Sequence, residues 1–277
     1  MKCGYLGQKG SFSYLALVEA FPELTPVACD TFAEITEKVD AGILERAILP
    51  VENSTEGAVT SVMDNLLVLK QAGILAETVL TVTHHLYSVD PNVASIHTVF
   101  SHPQAIEQCR HFFRNHFPDI QLIPCESTSS ACVLAKERGI GTGAITSKWA
   151  GTHNGLQLAA KSIQDNRFNQ TRFILLGIGH PPATGNDKTA IAFSFHRDYA
   201  GSLYLILKIF ADQNINLTRI ESRPAKMELG QYLFFVDFEG HQKDAVVREV
   251  LEKVSFMTRN LYIFGSFTRA KEAVSSN

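Results

Sequence analysis

Four short segments concentrate the side chains that could do chemistry. Pro50-Val51-Glu52-Asn53-Ser54-Thr55-Glu56-Gly57-Ala58 sets five polar side chains beyond the apolar end of a strand, before a helix near Val59-Thr60. Strand ends in α/β sheets are where ligands dock. A capping loop, with Ser54 or Thr55 holding helix N–H groups, explains the same residues without a ligand. Ser101-His102-Pro103-Gln104 repeats the geometry, because Pro103 suits a first helical position and Ser101 or His102 its cap. Such a helix start is ready to receive an anion. Gln164-Asp165-Asn166-Arg167-Phe168-Asn169-Gln170-Thr171-Arg172-Phe173 brings donors, a carboxylate and two guanidinium groups to the start of a returning strand. Arg grips a carboxylate bidentately, although a structural pair with Asp165 competes.

Gly4-x-x-Gly7-x-x-Gly10 follows a strand and opens a helix, so its backbone N–H groups suit an anion. A tight turn that needs glycine backbone angles accounts for it equally. The spacing is not G-x-G-x-x-G, and Lys9-Gly10-Ser11 reverses the order a phosphate-binding lysine needs, which disfavours a nucleotide. Adjacent His84 and His85 lack the Cys, His or Asp companions of a metal site, and a partly buried, hydrogen-bonded imidazole is expected instead. No metal and no cofactor are assigned. Late in the chain, Asn214 to Pro224 sets charges on a strand that ends at a proline, as a solvated edge strand also does.

The elements that must carry these residues follow from periodicity. The first 180 residues alternate β-like runs (2–6, 25–29, 46–50) with helical patterns (11–21, 32–41), which is α/β order. The pattern restarts near Ala76 with runs at 78–82 and 98–100, a helix over 103–117, a run at 121–124, a helix after Ser127 and a strand at 139–145. Asp30-Thr31 and Ser127-Thr128-Ser129-Ser130 mark helix starts. Two lobes are expected, about 1–76 plus 172–180 and about 77–171, with a ligand cleft between them. A linker at 181–188 leads to a βαββαβ unit over 189–269, the ferredoxin-like arrangement, with a hairpin turn near Gly230 and a frayed tail over 270–277.

Composition limits the function. The 277 residues are 45% hydrophobic and 19% charged, with 25 basic against 28 acidic side chains. Two globular units fit that length, and the absence of a basic excess argues against nucleic acid. No run of about 18 apolar residues reads as a membrane span, and the N-terminus lacks a signal-peptide stretch, so a cytoplasmic protein is expected. The five scattered cysteines (Cys3, Cys29, Cys109, Cys125, Cys132) fit reduced packing residues.

Taken together, the segments resemble the prephenate dehydratase family in its monofunctional form with an ACT regulatory domain. Gly4-Tyr5-Leu6-Gly7 with Gly10-Ser11-Phe12-Ser13, Pro50-Val51-Glu52-Asn53-Ser54 with Gly57, Ser101-His102-Pro103-Gln104-Ala105 with Gln108-Cys109, and Asn169-Gln170-Thr171-Arg172-Phe173 are similar to four family motifs in order. Gly201-Ser202-Leu203-Tyr204 and Ile215-Asn216-Leu217, leading into Glu221-Ser222-Arg223-Pro224, are similar to ACT motifs, with Ser202 in place of the usual alanine.

The resemblance implies a periplasmic-binding-protein-like catalytic region followed by the ACT unit. The implied activity is loss of carbon dioxide and water from prephenate to give phenylpyruvate, with L-phenylalanine as feedback inhibitor and a homodimer or homotetramer as the working form. It assigns Thr171 as donor to the departing hydroxyl, with Asn53, Ser101 and Gln108 as orienting residues. Arg172, Phe173, Ser54, Thr55, His102, Gln104, Ser11, Ser13, Thr128 and Ser129 are expected around the substrate. Gly201, Ser202, Leu203, Asn214, Asn216, Leu217, Glu221, Ser222, Arg223 and Pro224 are expected around the effector. Arogenate as substrate, and a non-catalytic amino-acid sensor, are the competing expectations.

Overall fold

A computed structural model describes residues 1–197, 199–225, 231–270 and 274–275. The chain opens as β1 (Lys2–Leu6), α1 (Phe12–Ala20), β2 (Thr25–Cys29), α2 (Phe32–Asp40), β3 (Arg46–Asn53), β4 (Gly57–Ala58), α3 (Thr60–Leu66) and β5 (Ala72–Thr81). It then crosses to β6 (His85–Ser88), β7 (Thr98–Ser101), α4 (Pro103–Gln108), α5 (Arg110–His116), β8 (Gln121–Pro124), α6 (Thr128–Arg138), β9 (Thr142–Thr146), α7 (Lys148–His153) and β10 (Gln157–Ala160). It returns on β11 (Gln170–Ile178) and continues through β12 (Asp187–Ser194), α8 (Ser202–Asp212), β13 (Leu217–Pro224), β14 (Tyr232–Glu239), α9 (Ala245–Met257), β15 (Asn260–Thr268) and β16 (Val274–Ser275).

Three sheets result. The first runs β16-β5-β11-β3-β1-β2 with β4 beside β3, the second β10-β6-β9-β7-β8, and the third β13-β14-β12-β15. The first two are the lobes of a periplasmic-binding-protein-like pair, and the third, with α8 and α9, is ferredoxin-like. Several expectations shift. Both β5 and β11 pair along their length inside the first sheet, so the crossings fall after Thr81 and before Gln170 instead of at 76/77 and 171/172. The single helix expected over 103–117 breaks at Cys109 into α4 and α5. Strand β12 starts at Asp187, inside the expected linker. Val274–Ser275 pair in parallel with Leu80–Thr81, so the tail is not wholly frayed. The turn expected near Gly230 lies outside the described residues.

Alternation along each strand explains how the third sheet is held. Ile191 and Phe193 face α8 and α9, where they pack with Ile206, Phe210, Val250 and Val254. Their neighbours Ala190 and Ala192, with Phe235, Phe264 and Phe267, face the first sheet and share a core with Leu49, Met63, Ile74 and Ile174. Both faces of this sheet are therefore buried, a consequence of the two-residue side-chain period. Close approach is secured by Gly73 and Gly265: a Cβ on Gly73 would lie 2.7 Å from the Phe264 carbonyl oxygen, and one on Gly265 2.6 Å from that of Ile74.

Candidate active site

A cavity of about 710 Å³ lies between the first and second sheets, within the usual range for small-molecule sites. Three helix starts meet it. Ser11, Phe12 and Ser13 of α1, His102 and Gln104 at α4, and Ser127 and Thr128 at α6 all line its wall. Each start is capped by a side chain. Ser11 Oγ accepts from the Tyr14 N–H, His102 Nδ1 from the Gln104 N–H at 3.2 Å, and Ser127 Oγ from the Ser130 N–H at 2.9 Å. Ser130 Oγ accepts in turn from the Ser127 N–H at 3.0 Å, completing a capping box. Among the described lining residues none is Lys or Arg, while Asp30 and Glu126 are present. Negative charge in this cavity must therefore be met by helix starts and neutral donors.

Thr171 stands on β11 facing the cavity and is 8% exposed. Its cross-strand partner on β3 is Asn53. The Asn53 side-chain NH₂ donates to Thr171 Oγ1 at 2.9 Å and to Asn169 Oδ1 at 2.8 Å, while its Oδ1 accepts from the Thr55 N–H at 2.9 Å. Because Asn53 donates to the threonine oxygen, the threonine proton remains to be given to a bound molecule. A bulge makes this pairing possible. Phe173 pairs with Pro50 and Arg172 with Glu52, leaving Val51 as the extra residue of β3. The extra residue inverts the alternation of β3, so Asn53 turns to the cavity and Glu52 away from it.

Other expected site residues stand in different relations to the cavity. Gln108, His102, Gln104, Ser11, Ser13, Thr128 and Phe173 line it, and Phe173 is almost fully buried. Thr55 supports Asn53 through its N–H and hydroxyl. Ser54 fastens the loop to the start of β11, donating to the Phe168 carbonyl at 2.8 Å and accepting from the Gln170 N–H at 2.9 Å.

Ser101, expected to orient the substrate, is fully buried and donates to the Ile145 carbonyl at 2.8 Å, tying β7 to β9. Ser129 is also buried off the cavity lining, with no hydrogen-bond partner for its hydroxyl.

Arg172 is the largest departure. It points from the opposite face of β11 and pairs with Glu77 of β5 at 2.9 Å, Asp237 of β14 at 2.5 Å and Glu52 at 3.4 Å. Lys188 of β12 adds a 2.8 Å bond to Glu77, and Arg219 of β13 lies 3.7 Å from Glu52. Burial opposes the charge on Glu77, but Arg172 and Lys188 outweigh it and hold the carboxyl below its ordinary range. Arg172 thus joins the first sheet to the third and does not touch the cavity.

The effector residues divide similarly. Arg223 directs its Nη1 to the Thr60 carbonyl and to Asp64 at 2.8 Å, both on α3. Ser202 Oγ accepts from the Tyr199 N–H at 3.0 Å, behind Gly201, whose φ of +92° opens α8. Asn214 takes a positive φ of 54° in the turn to β13. Leu203 and Leu217 pack on the core under α8 and α9. The Asn216 carbonyl accepts from the Glu239 N–H at 3.0 Å. Glu221, Ser222 and Pro224 pair in register with β14, facing Phe235, Phe234 and Tyr232.

Three residues went unassigned in the sequence. His84 lines the cavity, is 2% exposed and meets Gln108 Oε1 through Nε2 at 2.9 Å. Asn169 is also 2% exposed and donates to the same oxygen at 2.9 Å. Glu56 accepts from Gln108 Nε2 at 2.9 Å, a bond from the first lobe to the second. Asn169 could have been read from its i,i+2 spacing to Thr171 on one strand face; His84 reads only as a partly buried, hydrogen-bonded imidazole, with nothing local to place it at the cavity.

The fold and site define a two-lobed α/β protein with a small-molecule-sized cleft lined by capped helix starts, joined to a ferredoxin-like unit. The chain belongs to the prephenate dehydratase family: the family model of that description matches residues 3–180. It is 39% identical over 245 residues to the prephenate dehydratase of Methanocaldococcus jannaschii, covering 86% of each chain. Among solved structures it is similar to the Arthrobacter aurescens prephenate dehydratase in complex with L-Phe, with TM-score 0.88 and 30% identity over 97% of this chain and 90% of that one. It is also similar to GqqA, described as a novel type of quorum quenching acylase, with TM-score 0.87 and 27% identity over 98% and 99%.

Proposed function

We propose that this chain converts prephenate to phenylpyruvate and is inhibited by L-phenylalanine through its ferredoxin-like unit. The observation that carries the reading is Thr171, whose hydroxyl oxygen accepts from Asn53 and keeps its proton for a molecule in a cavity with no Lys or Arg among its described lining residues. In the reaction the ring C–carboxylate bond breaks and releases CO₂. Its electron pair enters the ring, and the C–OH bond breaks at the opposite carbon, the hydroxyl leaving as water with a proton taken from solvent. Thr171 is too weak an acid to be the proton's source, so it hydrogen-bonds the departing oxygen as charge develops there. The pyruvyl carboxylate is held at the helix starts. Among the described lining residues the ring carboxylate meets no guanidinium or ammonium, and it gains by leaving. Arg172, assigned to the substrate by motif, instead anchors the catalytic strand to the regulatory sheet.

Regulation follows the same strand. Arg172 and Glu52 are chain neighbours of Thr171 and Asn53, and their partners Asp237 and Arg219 belong to the third sheet, as does Lys188, which shares Glu77 with Arg172. A shift of that sheet on effector binding therefore acts on the strand pair that aims the hydroxyl. An acyl-transfer reading is not favoured. Among the described residues neither cavity histidine bonds to a serine or cysteine side chain, the pairing an activated nucleophile needs. The reading is tested by incubating the protein with prephenate at neutral pH and following phenylpyruvate with and without L-phenylalanine. Product that L-phenylalanine suppresses supports it; a folded protein that yields none refutes it.

A further inference from the structure

The side-chain amides behind Thr171 form one directed chain. Each amide has two ends, a donor and an acceptor, and which end points where must be fixed from outside. Asn53 is fixed by the loop, whose Thr55 and Glu56 N–H groups both point at its Oδ1. Its NH₂ then spans Thr171 Oγ1 and Asn169 Oδ1. Asn169 consequently presents its NH₂ to Gln108, whose oxygen also faces His84 Nε2. Gln108 is left with its NH₂ toward Glu56. At the far end, therefore, the imidazole must donate through Nε2.

His84 is built for that task. It sits on the crossing between β5 and β6, where its N–H donates to Gln164 Oε1 at 3.1 Å and its carbonyl accepts from the Ile163 N–H at 2.9 Å. Those partners belong to the return crossing before β11, which also gives the Asn169 carbonyl to the Val82 N–H at 2.8 Å. The ring is pinned edge-on by Phe12 of α1, with centroids 5.6 Å apart. Burial holds it neutral, with a pKa pushed down to about 4. Its Nδ1 has no partner, as a ring protonated only at Nε2 allows.

We infer that His84 is a positioning residue of the dehydratase reaction: as the fixed Nε2–H donor at the crossing between lobes, it orients Gln108 and through Asn169 and Asn53 the Thr171 hydroxyl. The inference rests on the proposed function only for its kinetic readout. The imidazole tautomer is measured on the wild-type protein without substrate.

Two variants and one spectrum test it. His84→Leu removes the donor and keeps an apolar filling. His84→Gln returns an N–H near the position of Nε2. The expected result is a kcat on prephenate lowered about tenfold or more in H84L with KM within about twofold, and recovery to within about threefold of wild type in H84Q. Nitrogen-15 spectra of the wild-type ring are expected to show the neutral Nε2–H form at pH 7. Unchanged turnover in H84L, equal losses in both variants, or an Nδ1–H or charged ring would each overturn the inference. If H84L does not fold, the tautomer and H84Q decide. A wild-type protein inert toward prephenate would instead sink the proposed function, leaving the tautomer as the remaining check.

Discussion

Thr171 and Arg172 are adjacent, and the strand's two-residue period sends them to opposite worlds: one to the cavity, the other to a set of buried carboxylates. A guanidinium that is buried and already paired three times cannot also serve a substrate without abandoning charges that burial makes expensive. The threonine, by contrast, still has its hydroxyl proton to donate. Thr171→Val keeps the shape and removes that donor. It is expected to lower kcat by about 100-fold or more with little change in KM, within the range for losing one transition-state donor; turnover near wild type would remove the hydroxyl from the mechanism. His84 gives a pH prediction at the same scale. Its folded pKa lies below its unfolded value near 6.5, so the unfolded chain binds the proton more readily between the two. Its stabilising contribution is full above about pH 6.5 and is lost as the pH falls toward about 4. In denaturant titrations, the drop in unfolding free energy from pH 7 to pH 5 should be larger for wild type than for H84Q by about 2 kcal/mol; equal drops would mean that the ring is not held neutral.

Among the elements, the helix starts matter most. Helix α6 has no acidic residue in its first turn, and its positive end opens on the cavity beside Glu126. The Ser127–Ser130 box that secures it was visible as a run of hydroxyl residues after Cys125-Glu126. Ser127→Ala should cost about 1 kcal/mol of stability and raise KM for prephenate more than it lowers kcat, because the helix start binds the part of the substrate that does not react. A lowered kcat with unchanged KM would place α6 outside the binding of the side-chain carboxylate. The bulge at Val51 is the second decisive element. It alone separates Asn53 from the core side of β3, and nothing in Pro50-Val51-Glu52-Asn53 announces an extra residue, since a bulge is defined by the partner strand.

For the molecule as a whole, the third sheet lies directly behind the catalytic strand pair, packed through Phe235, Phe264 and Phe267 and cross-linked by the Arg172 cluster. Coupling of about 1–3 kcal/mol across such a border suffices for useful feedback. Asp237→Asn removes the contact from the regulatory side while leaving the cavity untouched. The half-inhibitory concentration of L-phenylalanine is expected to rise about fivefold or more, with phenylalanine binding by calorimetry unchanged and basal turnover within about threefold of wild type. Unaltered inhibition would show that the signal runs elsewhere. Among the described residues no helix is long and apolar enough to cross a membrane.

The sequence by itself determined most of the order of elements, short of β4, β6, β10 and β16, together with capped helix starts, the βαββαβ unit and the segments that meet at the site, because caps, periodicity and turn residues act over a few positions. It also held the four motifs that carry the family resemblance. Only the tertiary structure decided which side of each strand those residues occupy and what they touch. Arg172 reads as a carboxylate ligand until Glu77 and Asp237, 95 and 65 residues away, are brought beside it. Ser101 reads as a site hydroxyl until the neighbouring strand offers the Ile145 carbonyl. His84 reads as a partly buried, hydrogen-bonded imidazole until Gln108, at the end of α4, is brought against its Nε2. In each case the role is set by a partner distant in the chain, and pairing over such distances leaves no local trace.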